Sequence, residues 1–270
     1  MKEMSLKDIQ DFSLDILQKV DIYCINNRID YSLGYGALIG AIRHHNIIPW
    51  DDDIDIIMTR PNYNRFVESF NKSTFASENS MRLIAPELGN GYFSIARVCD
   101  MSHTIVKKYY KWTDESTGLW IDIFPIDSLP DDGGATLRSQ NDKCWFLCGS
   151  SAPISMDYSL KRNLKTLGKK LLYCLGDRGK EIRIYNSMIA KLPPYGSTDL
   201  VCNFGSPYGI KDTHRRIIFE KFNRVVFGNI ETMVISEYDT YLRTIYGDYM
   251  QLPPVSKRVR GHTDNKYYWI

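Results

Sequence analysis

Ile9, Phe12, Ile16, Val20 and Tyr23 recur at three- and four-residue intervals, so residues 5–28 read as an amphipathic helix with one apolar stripe. Ser5 is its N-cap candidate, and Asp8 stands where a capping-box acid would. Asp30-Tyr31-Ser32-Leu33 reads as a short strand. Leu38, Ile39 and Ile42 then return to helical spacing up to His45-Asn46. Acidic and apolar positions alternate from Asp51 into Ile56-Ile57-Met58, which predicts a second strand. Pro61 suits a first helical turn and opens a helix from Asn62 to Phe70. Strands are predicted at 81–84, 92–98 and 104–106, and at Leu119–Phe124, where Pro125 should end the strand. After the turn at Pro130-Asp131-Asp132-Gly133-Gly134, helical spacing dominates: 135–149, 159–175, 178–191 and 236–246, interrupted around 193–196 and 204–209. Residues 251–270 read as a loop-like tail. The expectation is an α+β fold: a mixed sheet flanked by helices over 1–130, with a mostly helical lobe over 131–270 packed on it as one globular unit.

Composition changes this picture little. A chain of 270 residues is near the limit for one hydrophobic core. With 43% hydrophobic and 24% charged residues it falls among ordinary soluble proteins, which excludes a disordered or fibrous chain. A net charge of +2 gives no ground for a nucleic-acid partner. Met1-Lys2-Glu3-Met4-Ser5 leads straight into the charged first helix, and no apolar run is long enough to span a bilayer, so the cytoplasm is the expected compartment. The six cysteines form no Cys-x-x-Cys pair and read as buried free thiols, not a zinc site.

The chemistry concentrates in Asp51-Asp52-Asp53-Ile54-Asp55. Aspartate is a poor strand former, and several carboxylates in an apolar setting repel one another unless a cation neutralises them. On a strand, Asp51, Asp53 and Asp55 would share one face and Asp52 the other. Just upstream, Gly34-Tyr35-Gly36-Ala37 lies where a strand turns into a helix, so backbone amides can approach a phosphate. Asp122 is an acid inside an otherwise apolar strand and is the third carboxylate position. Hard oxygen ligands of this kind suit magnesium, with manganese as the alternative, and such an ion can also hold phosphate oxygens.

Three blocks together resemble the LicD family of phosphotransferases. The first is Gly36-Ala37-Leu38-Ile39-Gly40-Ala41-Ile42-Arg43-His44 followed by Ile48-Pro49-Trp50-Asp51-Asp52-Asp53-Ile54-Asp55-Ile56. The second is Ile121-Asp122-Ile123-Phe124-Pro125-Ile126-Asp127. The third is Tyr246-Gly247-Asp248-Tyr249-Met250, Leu252-Pro253-Pro254, Lys257-Arg258 and His262. They span nearly the whole chain in order. The resemblance implies a nucleotidyltransferase-like core and metal roles for Asp51, Asp53 and Asp55; Asp122, from its place in the apolar strand, is a further metal and catalytic candidate. It also implies transfer of phosphocholine, or a related alcohol phosphate, from a CDP-linked donor to a hydroxyl of a cell-surface glycan such as teichoic acid or lipopolysaccharide, releasing CMP. Fukutin-related members transfer ribitol phosphate instead. The family often has Thr where Ala37 stands, so amides alone would contact phosphate there. The same core would also serve nucleotidyl transfer to a sugar phosphate, which stays open as the alternative.

Arg43 reads either as a phosphate contact or as a helix-end cation facing the dipole. Arg97, in an apolar strand, needs either phosphate or a carboxylate as partner. Lys257, Arg258 and His262 read either as contacts to an anionic substrate or as a solvated basic tail. Trp50, Trp112, Tyr208 and Trp269 are candidates for an aromatic cage around a quaternary ammonium. The basic, leucine-containing tract 161–175 reads either as a helix packed with a solvated basic face or as a peripheral contact with the inner face of a membrane carrying lipid-linked acceptors.

Overall fold

The structure, a computed structural model, describes residues 1–107, 112–150, 154, 159–173, 176–261 and 265–270. After β1 (Lys2–Glu3), helix α1 (Leu6–Asn26) starts at Ser5. The Ser5 hydroxyl accepts from the Asp8 amide, and the Asp8 carboxylate reaches back to the Ser5 amide, which satisfies two amides of the free helix end. Ile9, Ile16, Val20 and Tyr23 are buried along the expected stripe. Strand β2 (Ser32–Leu33) passes through Gly34 into α2 (Tyr35–Ile39), which widens into a π-helical turn, Gly40–His44. Strand β3 (Asp55–Thr59) follows, then α3 (Arg60–Ser69), α4 (Thr74–Glu78), β4 (Met81–Ile84), β5 (Ala96–Asp100), β6 (Thr104–Lys107) and β7 (Trp120–Ser128).

The main sheet has the order β2-β3-β7-β5-β4, with β3 parallel to β7 and its other neighbouring pairs antiparallel. All nine residues of β7 are buried, which makes it the spine of the fold. Each of its two acids therefore needs a partner. Arg60 grips Asp127 through two hydrogen bonds of 2.6 and 2.7 Å, and Arg97 donates to Asp122. Removing one member of such a pair strands a buried charge, at a cost of about 3–5 kcal/mol.

Pro125 does not end the strand. The Asp122 amide donates to Ile54 O (3.0 Å), so by alternation the amide positions 122, 124 and 126 face β3, while 121, 123 and 125 face the other side. On that side β5 pairs only as far as Ile123, and β8 (Leu200–Cys202) joins only at Asp127. The proline, which has no N–H, falls in the gap between two partners. The strand expected over 92–98 starts instead at Ala96, where its ladder with β7 begins.

The second half holds helices α5 (Ala135–Gly149), α6 (Leu160–Tyr173), α7 (Arg178–Ile189) and α8 (Tyr238–Tyr246), and among its described residues also β8 and four further strands that the sequence reading did not expect. Strand β9 (Thr213–Arg215) extends β8. Strands β10 (Phe222–Phe227) and β11 (Ile230–Ile235) form a hairpin across Gly228-Asn229, with Gly228 at φ +65°. The hairpin is tied to β2 by the Ile235 amide on Ser32 Oγ (2.9 Å) and by Tyr31 Oη to Thr232 Oγ1 (2.7 Å). The expected loop-like tail contains β12 (Lys266–Trp269), which pairs with both β1 and β6. Residues of the second half thus complete the core begun by the first. The five described cysteines, at 24, 99, 144, 148 and 202, are buried and free; Cys174 lies outside the described residues.

Candidate active site

A cavity of about 830 Å³ opens beside the main sheet, with walls from both halves of the chain. The first wall is the sheet itself. Asp55 of β3 is in register with Asp122 of β7, and Asp122 with Arg97 of β5, so three charged side chains form a row across adjacent strands. Neighbouring strands lie about 4.8 Å apart, which brings these charges close together. Arg97 Nε donates to Asp122 Oδ1 (2.5 Å) and Trp120 Nε1 to Asp122 Oδ2 (3.3 Å). The Arg97 guanidinium lies over the rings of Trp112, Phe93 and Trp120, at 4.4, 4.8 and 4.9 Å. This aromatic box and the carboxylate fix both the position and the charge of the arginine.

The rim is the segment Asp51–Ile54, which is irregular; β3 begins only at Asp55. The Asp51 amide closes a turn onto Ile48 O (2.8 Å), and Gln10 of α1 donates to Asp51 O (2.8 Å), so the backbone bends here before pairing. Strand alternation therefore does not sort the aspartates. One carboxylate oxygen from each of Asp51, Asp52 and Asp53 lies within 4.8 Å of the others. Asp52, expected to point away, is a buried part of the cavity wall and accepts from Arg260 Nε (2.5 Å). Burial, and then the charges of Asp53, Asp122 and Asp51, push the Asp55 carboxyl well above the ordinary carboxylate range, with Arg97 opposing only in part. Hard oxygen donors that penalise one another in this way fit a divalent cation.

Gly36 has a specific reason to be glycine. A Cβ there would stand 2.8 Å from Asp51 Oδ2, so a side chain would push the carboxylate off the rim. Next to it, Tyr35 holds a left-handed backbone (φ +44°), which is strained for a bulky residue. The strain is held by a buried network. Tyr35 Oη donates to Asp212 Oδ2 (2.5 Å) and accepts from Asn203 Nδ2 (2.9 Å), and His214 Nε2 meets Asp212 Oδ1 (2.9 Å). Burial, reinforced by Asp212, pushes the Tyr35 phenol well up, so it stays a donor.

The remaining walls come from α5 and the second half. Arg138, Asn141, Asp142 and Trp145 of α5 line one side. Arg138 donates to Gly209 O (3.0 Å) and lies over Phe204 at 5.3 Å. Phe204–Gly209 and Tyr246 complete the lining; Tyr208 stacks on Tyr35 (5.6 Å) and Tyr246 donates to Tyr208 Oη (2.8 Å).

The cavity thus gathers Gly36, Asp51, Asp53, Asp55, Arg97 and Asp122, and also Trp112 and Tyr208. Ala37 is buried in α2 and lies outside the lining. Arg43 donates to the carbonyls of Tyr249 and Gln251 and to His44, pinning the C-terminal turn. Lys257 is exposed, and Arg258 donates to Pro253 O (2.9 Å) with its guanidinium over Trp50 at 5.5 Å. Trp269 packs edge-on against Phe12 at 5.4 Å. His262 lies outside the described residues. Arg260, Arg138 and the Tyr35-Asp212-His214 network are site residues that motif reading missed. The first was visible only as one of several bases in a tail, and the others carried no local signal.

Residues 28–144 match the family described as LicD/FKTN/FKRP, nucleotidyltransferase domain. They form a LicD-family domain. The chain is also 27% identical to the lipopolysaccharide cholinephosphotransferase LicD of Haemophilus influenzae, over 99% of each protein. The LicD domain holds the glycine turn, all five aspartates and Arg97, so it supplies the charged walls. Phe204–Gly209, Tyr246 and Arg260 lie beyond it, in the part covered only by the whole-chain similarity.

Proposed function

We propose that this protein is a metal-dependent phosphotransferase that moves phosphocholine, or a related alcohol phosphate, from a CDP-linked donor to a hydroxyl of a cell-surface glycan or its precursor, releasing CMP on the cytoplasmic side. The whole-chain similarity to a lipopolysaccharide cholinephosphotransferase supports the choice of group and acceptor. The observation that carries the chemistry is the row Asp55-Asp122-Arg97, continued by the Asp51–Asp53 rim, lining one cavity.

Asp51, Asp53 and Asp55 are the carboxylates that would hold magnesium, or manganese, and the ion would supply charge neutralisation at the donor's diphosphate. Asp122, with both oxygens already accepting from Arg97 and Trp120, acts by holding Arg97. Arg97, fixed in its aromatic box, presents positive charge where phosphate oxygens gather negative charge in the transition state. The acceptor oxygen bonds to the phosphorus that carries the alcohol, and the bond from that phosphorus to CMP breaks. CMP leaves with the electron pair. The hydroxyl proton passes to Asp51, half-buried at the rim. Because Arg97 already fills the aromatic box, a trimethylammonium group would be repelled there. The Tyr208-Tyr246 surface, uncharged and lining the same cavity as the aspartates, is the place for it.

Thermal unfolding with magnesium against CDP-choline, CDP-ribitol, CDP-glycerol and CDP-ethanolamine tests this reading. A native-state ligand raises Tm by mass action. The largest magnesium-dependent rise is expected with CDP-choline. A larger rise with CDP-ribitol would move the donor class. A rise with CTP and with no CDP-alcohol would favour nucleotidyl transfer.

A further inference from the structure

Helix α6 is amphipathic in the wrong sense for a packed helix. Successive residues advance about 100° around an α-helix, so Leu160, Leu164, Leu167 and Leu171 fall within an arc of about 60°. These four side chains are 45–75% exposed. The helix meets α5 through its other side, where Thr166 is buried and the Lys169 amine lies 5.3 Å over Phe146. A helix in a globular protein ordinarily turns its apolar stripe to the core; this one buries polar positions and shows leucines. An ordered row of exposed leucines marks an interaction surface.

The charge pattern says what that surface meets. Residues 160–173 contain Lys161, Arg162, Lys165, Lys169 and Lys170 and no acidic residue. Lys161 and Lys165 flank the leucine stripe on one edge and are exposed, while Lys170 stands toward the other edge. Long basic side chains beside an apolar stripe can lay their stems on lipid and keep their charges at headgroup level. A second copy of the helix would bring ten like charges together with no carboxylate of its own to offset them. Among the described residues no helix is long and apolar enough to cross a membrane, so the helix would lie on the surface, not span it.

We propose that α6 docks the protein on an anionic phospholipid surface, with Leu160, Leu164, Leu167 and Leu171 seated among the acyl chains and the flanking lysines on the phosphates. This holds whatever the cavity catalyses, because no residue of α6 lines it.

The test is co-sedimentation of the full-length protein with vesicles of phosphatidylcholine alone, and of phosphatidylcholine and phosphatidylglycerol in roughly equal parts. Binding is expected to the second and to weaken with salt. Leu164→Ser with Leu167→Ser and Leu171→Ser should lower affinity by about tenfold or more per leucine. Tm should stay unchanged, since these side chains are exposed in the folded protein. Lys161→Gln with Lys165→Gln should lower vesicle affinity about fivefold per charge. Absence of binding to either vesicle would overturn the proposal, and so would equal binding by the leucine variant. A dimer in sedimentation that the leucine variant disperses, without vesicle binding, would assign the stripe to a second copy and overturn it equally.

Discussion

Two parts of the cavity lining are built on opposite principles. The sheet wall places Asp55, Asp122 and Arg97 in strand register and adds a rim of three more acids, so its side chains hold charge against its own repulsion. The lining from Phe204–Gly209 and Tyr246 is aromatic and hydrogen-bonded: Tyr208, Tyr246 and Phe204 add no formal charge, and the charges that the second half does bring to the cavity, Arg138 and Asp142, stand on α5. The difference separates two jobs. The charged wall is suited to bond-making at phosphorus, and its design is strained without a cation. On the proposed reading, the aromatic lining recognises the group being moved.

Mutations should affect the two walls differently. Asp53→Asn should reduce transfer by about 10³-fold or more, because a lost ligand to a catalytic ion removes several kcal/mol of transition-state stabilisation. Tm without metal should hold or rise, since a repelling charge is gone; initial-rate and unfolding measurements together check both halves. Arg97→Met should be the most destabilising change in the site, by about 3–5 kcal/mol, because it leaves Asp122 buried without its arginine; denaturant unfolding reads it. Gly36→Ala should leave stability nearly unchanged, because the new Cβ meets only the rotatable end of Asp51, but cost at least tenfold in rate as that carboxylate is displaced. Tyr208→Phe, on the aromatic wall, should cost only about 0.5–1.5 kcal/mol and change KM for the donor more than kcat. If Tyr208→Phe instead lowered kcat as far as Gly36→Ala, the division of labour between the walls would be wrong.

A pH effect sharpens the comparison from the charged side alone. The folded-state pKa of Asp55 is raised above its ordinary value of 3.8, so the native state binds more protons than the unfolded chain. Metal-free stability from this group is full below pH 3.8 and is lost as pH rises through the raised folded value. A cation binds the deprotonated form, so the Tm gain on adding magnesium should grow with pH over the same window. A magnesium gain that is flat with pH would mean that Asp55 is not at the ion.

Legibility followed the same division. Four aspartates within five residues, an acid in an apolar strand and an arginine in another are anomalies visible one position at a time, so the charged wall could be found from sequence. The partners could not. Asp52 meets Arg260 from 208 positions away, and Asp212 reaches Tyr35 across 177. Such contacts exist only after the chain closes, and alternation failed for Asp52 because the rim is a turn, not a strand. The hairpin over 222–235 was missed, although Gly228-Asn229 between two strand-like runs is a recognised hairpin signal. Pro125 misled because a proline's cost depends on which edge of the strand is paired at that point. The inverted helix α6 shows the limit of pattern reading: the stripe is plain in the sequence, but only the structure shows which side it faces.

The most direct test of the central claim is transfer from CDP-choline labelled separately in choline and in cytidine, with magnesium and a glycan acceptor. A phosphotransferase moves the choline label to the glycan and leaves the cytidine label in CMP, at a rate that falls away when magnesium is chelated. Cytidine label on the acceptor, or transfer that persists without a divalent cation, would contradict the role assigned to the carboxylate wall.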